Sequence, residues 1–209
     1  MSPANQIHNT SAVLRRSVKL QMFLFQLTVL LSLMLIASYV SAVEFTQVDT
    51  KASTVTFFYK QMNVPMDGKF GKFSAQLAFD PAKLDKAQAR IDIDVASIDT
   101  GSAEANEEVL GKLWFNTRTY PAASFVSSGI KALGGNRYQA TGKLSIKGKT
   151  LDVATPVTFQ SSGASGVFEG AFAIKRLDYA VGEGEWTDVS TVADDIQIKF
   201  HLVVNASKK

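Results

Sequence analysis

Apolar and polar residues alternate repeatedly between Ser53 and Val204, and this is the strongest structural signal in the chain. The clearest example is the last segment, where polar residues separate Ile196, Ile198, Phe200 and Leu202. A period of two residues indicates β-strands with one buried face. The pattern predicts eight strands, at Ser53–Lys60, Lys72–Phe79, Gln88–Val95, Ala123–Lys131, Arg137–Ile146, Leu151–Gln160, Val167–Lys175 and Asp194–Val204.

Short polar turns such as Lys147-Gly148-Lys149 separate most of these segments. One connection differs, because Ser102–Leu113 is rich in helix formers and carries acidic residues in its first turns. We expect one short helix there, ending near Gly111. Several short strands with polar turns favour an all-β sandwich or barrel. Eight antiparallel strands can close into a barrel, which leaves no exposed sheet edge.

Large and small residues alternate on the predicted inner face of the strands. Aromatic positions such as Phe57 and Phe168 stand beside small ones such as Ala140 and Gly170. Large residues beside small ones are compatible both with a filled core and with a tapering lumen. The alternation leaves these two possibilities open.

The N-terminal segment has the pattern of a secretory signal. Three basic residues up to Lys19 precede the apolar run Met22–Ile36, and the small residues Val40-Ser41-Ala42 follow it. We expect a signal peptide at residues 1–42, cleaved after Ala42, and a periplasmic domain at residues 43–209. The alternative is a retained anchor, because Met22–Val40 is long enough to span a membrane.

Removing the signal changes the charge balance. Residues 1–42 hold three of the 22 Lys and Arg and none of the 19 Asp and Glu, so residues 43–209 carry 19 of each. A net charge near zero gives no support for binding nucleic acid. The chain has no Cys, so the exported domain depends on its core rather than on disulfides.

Candidate catalytic chemistry is sparse. The predicted exported domain has one His, His201, and no Cys, so a zinc site or a Ser-His-Asp arrangement lacks its components. The acidic residues between Glu183 and Asp195 lack the spacing of an EF-hand. We therefore expect a protein that is not an enzyme and that uses no cofactor and no metal.

Six segments together resemble the YceI-like family of exported, lipocalin-like proteins. They are VPMDGKFGKFSAQLAFDP (Val64–Pro81), VASIDTGSAEANEE (Val95–Glu108), WFNTRTYPAASF (Trp114–Phe125), ATGKLSIKGKT (Ala140–Thr150), IKRLDYAVGEGEW (Ile174–Trp186) and VSTVADDIQIKFHL (Val189–Leu202). The resemblance implies an eight-stranded antiparallel lipocalin-like barrel with a hydrophobic tunnel for a polyisoprenoid or another long-chain amphiphile, and it implies no catalysis. Many members carry a His where this chain has Ala52 or Lys147, so no role of those His residues carries over.

Alternation and the register of the resemblance place one set of apolar residues on the inner face as ligand contacts. These are Val55, Phe57, Tyr59, Phe73, Leu77, Ile93, Phe125, Phe172, Ile174 and Phe200. Each is equally compatible with an ordinary core position.

Five further candidates lie toward the ends of the strands. Phe115 and Trp186 occupy irregular segments that are positioned to cap a mouth, as plug or as ligand contact. Met62 and Met66 lie in the predicted connection after the first strand, where flexible thioethers adapt to a ligand tail or anchor the loop. Arg176 reaches a barrel end, where it meets a ligand head group or forms an ion pair with Asp178 or another carboxylate.

The leading hypothesis is an exported soluble protein that binds a polyisoprenoid or a similar lipid, such as an isoprenoid quinone, for transport, storage or sequestration. This hypothesis includes transient contact of the protein with a membrane. One alternative is an accessory factor or enzyme of isoprenoid or quinone metabolism or of a membrane cytochrome system. Another is a stress-associated barrel with a filled core.

The outward position of Phe58 indicates either packing beneath the predicted helix or a homodimer contact.

Overall fold

The computed structural model describes residues 43–207 of the chain, so the predicted signal peptide lies outside the described residues. Ten strands and one α-helix form the described fold. The strands are β1 (Phe45–Gln61), β2 (Val64–Phe70), β3 (Phe73–Ala78), β4 (Gln88–Asp94), β5 (Ile98–Asp99), β6 (Ala122–Gly134), β7 (Arg137–Ile146), β8 (Lys149–Ser162), β9 (Ser165–Lys175) and β10 (Asp195–Ala206).

All ten strands belong to one antiparallel, strongly curled sheet in the order β3-β4-β6-β7-β8-β9-β10-β1-β2-β5. The edge near β3 curls back to the start of β1. There the Phe45 N–H donates to the Phe79 carbonyl at 2.9 Å, and the Phe79 N–H donates in return at 3.1 Å. The all-β class is confirmed, but the strand count of eight is wrong. The sheet is a strongly curled half-barrel, because a single bridge rather than a strand ladder joins the end of the β3 segment to the start of β1.

The two additional strands, β2 and β5, lie in two segments to which the sequence pattern assigns no strand. Pro65 and Gly68 both disfavour a strand, yet β2 pairs with β1 along its whole length. Pro65 is tolerated because only Lys69 and Phe70 of β2 have a second neighbour, in β5.

β1 begins at Phe45, before the start at Ser53 that the alternation predicts. The alternation misses this first part because the pairing of β1 with β10 shifts register between Asp49 and Thr54. Ser53 fills the gap: its hydroxyl donates to the Asp49 carbonyl at 2.6 Å and accepts from the Val203 N–H at 2.8 Å. A side chain therefore replaces the strand ladder at this bulge.

The predicted helix is confirmed as α1 (Ala103–Leu110). The Ser102 hydroxyl accepts from the Ala105 N–H at the N-terminus, and Gly111 ends the helix. Phe58 points outward, as expected, but it meets Lys199 rather than this helix. The Lys199 Nζ lies 4.2 Å from the centre of the Phe58 ring.

Two groups of buried residues lie at opposite ends of β1 and β10. We call them the plug cluster and the cap cluster. The plug cluster lies at the start of β1 and includes Phe45, Phe79, Tyr138, Phe159, Phe168, Leu202 and Val204. The cap cluster lies near the end of β1 and includes Trp114, Leu144, Ile146, Tyr179, Val181 and Val192.

Glycines on the inner face make room for aromatic rings of adjacent strands. A Cβ at Gly170 would overlap the ring of Phe200, its direct partner on β10, and a Cβ at Gly68 would overlap the ring of Phe57. The large-beside-small pattern of the sequence therefore fits rings against the inner wall.

Candidate ligand cavity

A cavity of about 570 Å³ lies inside the curled sheet. Its walls are mostly aliphatic and aromatic side chains from nearly every strand, together with one face of α1. This volume lies within the range of about 300–1,000 Å³ that is typical of ligand pockets. The interior is therefore hollow rather than a filled core.

The plug cluster closes one end of the cavity with aromatic rings. The ring centres of Phe79 and Phe159 are 4.9 Å apart, as are those of Phe79 and Phe168, and the Phe159 and Phe168 rings stack at 4.4 Å. Phe79 is fully buried. The side chains that close this end are therefore apolar and mostly aromatic.

Arg176 holds the cap end, and it is 2% exposed. Its Nε donates to the Ala193 carbonyl at 3.1 Å. One terminal nitrogen donates to Val181 and Gly182 at 2.9 and 3.2 Å, and the other to Trp186 and Val192 at 2.6 and 2.8 Å, in each case to the backbone carbonyl. All five N–H groups of the guanidinium are therefore used to fix the irregular segment after β9.

The expected ion pair of Arg176 does not form within residues 43–207. Backbone carbonyls replace the carboxylate, and the guanidinium lies 5.3 Å from the centre of the Trp114 ring. Burial lowers the pKa of Arg176, and the charge of Asp194 opposes that change. A guanidinium stays protonated at neutral pH, so a buried positive charge remains at this end.

Lys147 is a second buried cation at the cap. Its Nζ donates to the Ala180 carbonyl at 2.6 Å, to the Leu113 carbonyl at 3.3 Å and to a Glu183 carboxylate oxygen at 2.7 Å. The hydrogen bond from Lys147 lowers the pKa of Glu183, and the charge of Lys147 adds to the effect. Lys147 thereby joins the segment after α1 to the segment after β9.

Two indole N–H groups at the cap have no acceptor. The Nε1 atoms of Trp114 and Trp186 are buried without a hydrogen-bond partner, and their ring centres are 5.2 Å apart. Both side chains line the cavity. Buried donors are normally paired, so this pair stands out among the described residues.

The lining includes a few polar residues. Glu104 and Glu108 of α1 are exposed to solvent and also line the cavity, and Gln61, Thr100 and Ser124 belong to the lining as well. We call the α1 side of the cavity the mouth. The only basic residue in the lining is Arg176.

Twelve of the fifteen predicted contact residues line the cavity. They are Val55, Phe57, Tyr59, Leu77, Ile93, Phe115, Phe125, Phe172, Ile174, Arg176, Trp186 and Phe200. Whether they touch a ligand stays a prediction.

Three predicted contact residues lie outside the lining. Met62 is 67% exposed in the tight turn between β1 and β2, and Met66 lies opposite Tyr59 on β2. Phe73 packs against the plug cluster. β2 extends the sheet where a flexible loop was expected, and neither methionine belongs to the lining, so their contact with a ligand stays a prediction.

Several lining residues escaped sequence reasoning. Trp114, Tyr179 and Val181 occupy irregular segments in which no period indicates the inner side. Ile91, Leu144 and Ile198 were recoverable, since they continue the alternation of strands already identified.

Tyr59 and Tyr179 both line the cavity. Burial raises the pKa of Tyr59 and of Tyr179, and Asp67 and Asp178 respectively add to these shifts, so both phenols are neutral at neutral pH. Among residues 43–207, no group of three or more His, Cys, Asp or Glu is arranged to hold a metal. Within the same residues, no helix is both long and apolar enough to cross a membrane.

The model of the YceI-like domain matches residues 47–204, which include the cap and every strand except the first two residues of β1 and the last two of β10. The chain belongs to the YceI-like family. Within the family, a curated relative from Azotobacter vinelandii, named UPF0312 protein, is 28% identical over 120 residues. That match covers 54% of this chain and 62% of the relative, so it spans less than two thirds of the relative's length.

Solved structures share this YceI-like fold. BcnA of Burkholderia cenocepacia is 54% identical, with a TM-score of 0.73, over 75% of this chain and 99% of BcnA. A polyisoprenoid binding domain from Saccharophagus degradans, implicated in plant cell wall breakdown, is 19% identical. Its TM-score is 0.61, over 79% of this chain and 99% of that domain. The second likeness supports the fold alone.

Proposed function

We propose that this protein is a non-catalytic binding protein that holds one long apolar chain, such as that of a polyisoprenoid or an isoprenoid quinone. The observation that carries the proposal is the apolar cavity of about 570 Å³ between the plug and cap clusters. The Saccharophagus degradans neighbour, which is described as binding polyisoprenoid, supports the choice of ligand class.

Burial of apolar carbon supplies the affinity. Each buried methylene-sized unit contributes about 0.8 kcal/mol, so about ten of them contribute on the order of 8 kcal/mol. Before the ordering cost is subtracted, this corresponds to a dissociation constant of about 1 μM. A wall of Val, Ile, Leu and Phe selects for length and shape and distinguishes one additional carbon only weakly.

The protein performs this function outside the cytoplasm, in the periplasm, after residues 1–42 have directed its export. A chain that is insoluble in water requires a carrier or store once it leaves a membrane. The cavity therefore serves transport, storage or sequestration, with transient membrane contact for loading and release.

Native mass spectrometry of the purified protein tests the proposal. We expect a co-purifying lipid that is retained under gentle conditions and lost on denaturation. A matched pair of variants identifies its location. Ala140→Phe fills the cavity, whereas Ala173→Phe adds the same ring at an exposed position of β9 that is not in the lining.

The lipid adduct should disappear from Ala140→Phe and persist in Ala173→Phe. If the wild-type protein repeatedly carries no lipid and also takes up no long-chain quinone, the proposal is wrong.

A further inference from the structure

We propose that α1 is a lid over the cavity, which stays fixed at its C-terminal end and is released at its N-terminal half to admit a ligand. The inference rests on the proposed function and adds the route of entry to it. Three features carry it: the position of α1 on the cavity wall, the lack of buried residues in α1 and the different hydrogen bonds of its two halves.

α1 separates the cavity from solvent on the side of the mouth. Ala105 and Val109 are four residues apart, so they share one face of the helix, and both line the cavity. Glu104 and Glu108 line it as well and are exposed to solvent. The same short helix therefore borders the cavity and the water outside. Displacing it would open the cavity to solvent.

Little apolar burial holds α1 in place. The helix has eight residues, and an isolated helix shorter than about 12–15 residues is only marginally stable in water. Its stability must therefore come from packing, yet none of its residues is buried. Segments with few buried apolar contacts open locally at a lower free energy than the unfolding of the whole domain. α1 has this property, whereas the plug cluster contains the fully buried Phe79.

The C-terminal end of α1 is tied to the segment that follows it. The Val109 carbonyl accepts from the Phe115 N–H at 3.0 Å. The Leu110 carbonyl accepts from the Thr117 N–H at 3.1 Å and from the Thr117 hydroxyl at 3.2 Å. Val109 and Phe115 also pack against the cap cluster. This end therefore stays with the cap when the rest of the helix moves.

The side chain of Asn106 holds the N-terminal half of α1. Its Oδ1 atom accepts from the Thr100 N–H at 2.7 Å and from the Thr100 hydroxyl at 2.8 Å. We call this pair of hydrogen bonds the latch. Thr100 is 6% exposed and lines the cavity, so the latch joins α1 to the cavity wall. Gly101, between Thr100 and the helix, has a φ of 84° and no neighbouring atom within 4 Å of a Cβ position, so it is suited to act as a hinge.

The kinetics of ligand exchange test the lid. Asn106→Ala removes the acceptor of the latch and places a strong helix former in α1. With a long-chain isoprenoid quinone followed by tryptophan fluorescence, we expect the association and dissociation rate constants both to rise about three- to tenfold, which is the effect of losing one or two hydrogen bonds. The dissociation constant should therefore change little. A rise in the dissociation rate constant alone would indicate a lost ligand contact and would overturn the lid.

Two further variants grade this result. Thr100→Val removes only the hydroxyl donor of the latch, so it should raise both rate constants by less than Asn106→Ala does. Glu107→Ala is the matched control, because Glu107 is the next residue of α1, is exposed and does not belong to the lining. It should leave both rate constants unchanged.

Thiol labelling measures the opening without any ligand. The chain has no Cys, so Ala105→Cys places a single thiol on the cavity side of α1. A maleimide carrying a polyethylene glycol chain should react with it more slowly than with Glu107→Cys on the exposed side. Adding Asn106→Ala should speed the labelling of Ala105→Cys and leave that of Glu107→Cys unchanged.

Equal labelling rates of Ala105→Cys with and without the latch would overturn the lid while leaving the proposed function intact. If the wild-type protein binds no quinone, the proposed function fails, whereas the labelling rates still decide whether α1 opens.

Discussion

The two ends of the cavity are closed by different kinds of interaction. At the plug end, rings from strands and from the bridge beside β3 pack at 4.4–5.0 Å, and no charge takes part. At the cap end, Arg176 and Lys147 hold irregular segments through hydrogen bonds to backbone carbonyls. Both ends contain buried apolar residues, but only the cap adds hydrogen bonds from buried cations to the backbone.

The largest effect is expected at the plug. Phe79→Ala removes a ring that contacts three other aromatic rings, so the free energy of unfolding should fall by about 3–5 kcal/mol. Phe58→Ala, on the outer face, should cost less than about 1 kcal/mol. Urea unfolding measures both. Similar losses for the two variants would contradict the assignment of Phe79 to a packed plug.

At the cap, Arg176→Met keeps much of the side-chain volume but leaves five carbonyl hydrogen bonds unmade. Because the freed segment can hydrate, we expect a loss of about 2–4 kcal/mol in the free energy of unfolding. The native emission of the two tryptophans should also shift to the red, since both lie at this end. Phe79→Ala should leave that emission unchanged, which separates the two ends.

The exposed Arg90, which pairs with Asp92 at 2.6 Å, provides the control for charge removal. Arg90→Met should change the free energy of unfolding by no more than about 1 kcal/mol. A loss as large as that of Arg176→Met would show that the hydrogen bonds of Arg176 stabilise the protein no more than an exposed ion pair does.

Between the ends, Gly170→Ala should have an intermediate effect. Its Cβ would overlap the Phe200 ring and lie 2.8 Å from the Pro156 carbonyl oxygen. The ring must then move into the cavity, and we expect a loss of about 1–3 kcal/mol. Thermal unfolding measures this loss of stability. Ala173→Gly is the control, because it makes the reverse exchange of the same two residue types on the outer face of β9. An unchanged melting temperature for Gly170→Ala would contradict the tight fit.

The smallest effect concerns pH at the cap. Because Lys147 lowers the pKa of Glu183 below its ordinary value of 4.5, their interaction stabilises the protein above that value. This contribution is lost as pH falls through the lowered pKa. Glu183→Gln should therefore flatten the dependence of the unfolding midpoint on pH below about 4.5. An equal pH dependence of the unfolding midpoint in wild type and variant would show that the Lys147–Glu183 pair does not stabilise the cap.

The sequence predicts the regular part of this molecule well. Alternation places Val55, Phe57 and Phe172 on the inner face, because each strand has one side toward the cavity and the other toward solvent. The helix was equally clear from Ser102 and its acidic first turns. The strand β2 was missed because Pro65 and Gly68 disfavour strands locally, and pairing with β1 overrides that preference.

The cap was the part that sequence reasoning could not assemble. No periodicity brings Leu113, Lys147 and Ala180 together, since they are joined only by hydrogen bonds across long sequence separations. Arg176 was identified, but its partners are backbone carbonyls, which no residue type reveals. The unpaired indole groups likewise depend on packing that a sequence pattern does not encode.

Intrinsic tryptophan fluorescence tests the central claim most directly, because both tryptophans of the chain line the cavity. The account predicts a saturable change in emission on titration with a long-chain isoprenoid quinone, with one ligand bound per chain. The change should be lost in Ala140→Phe and retained in Ala173→Phe. The same response in both variants, or none in the wild type, would contradict binding inside the cavity.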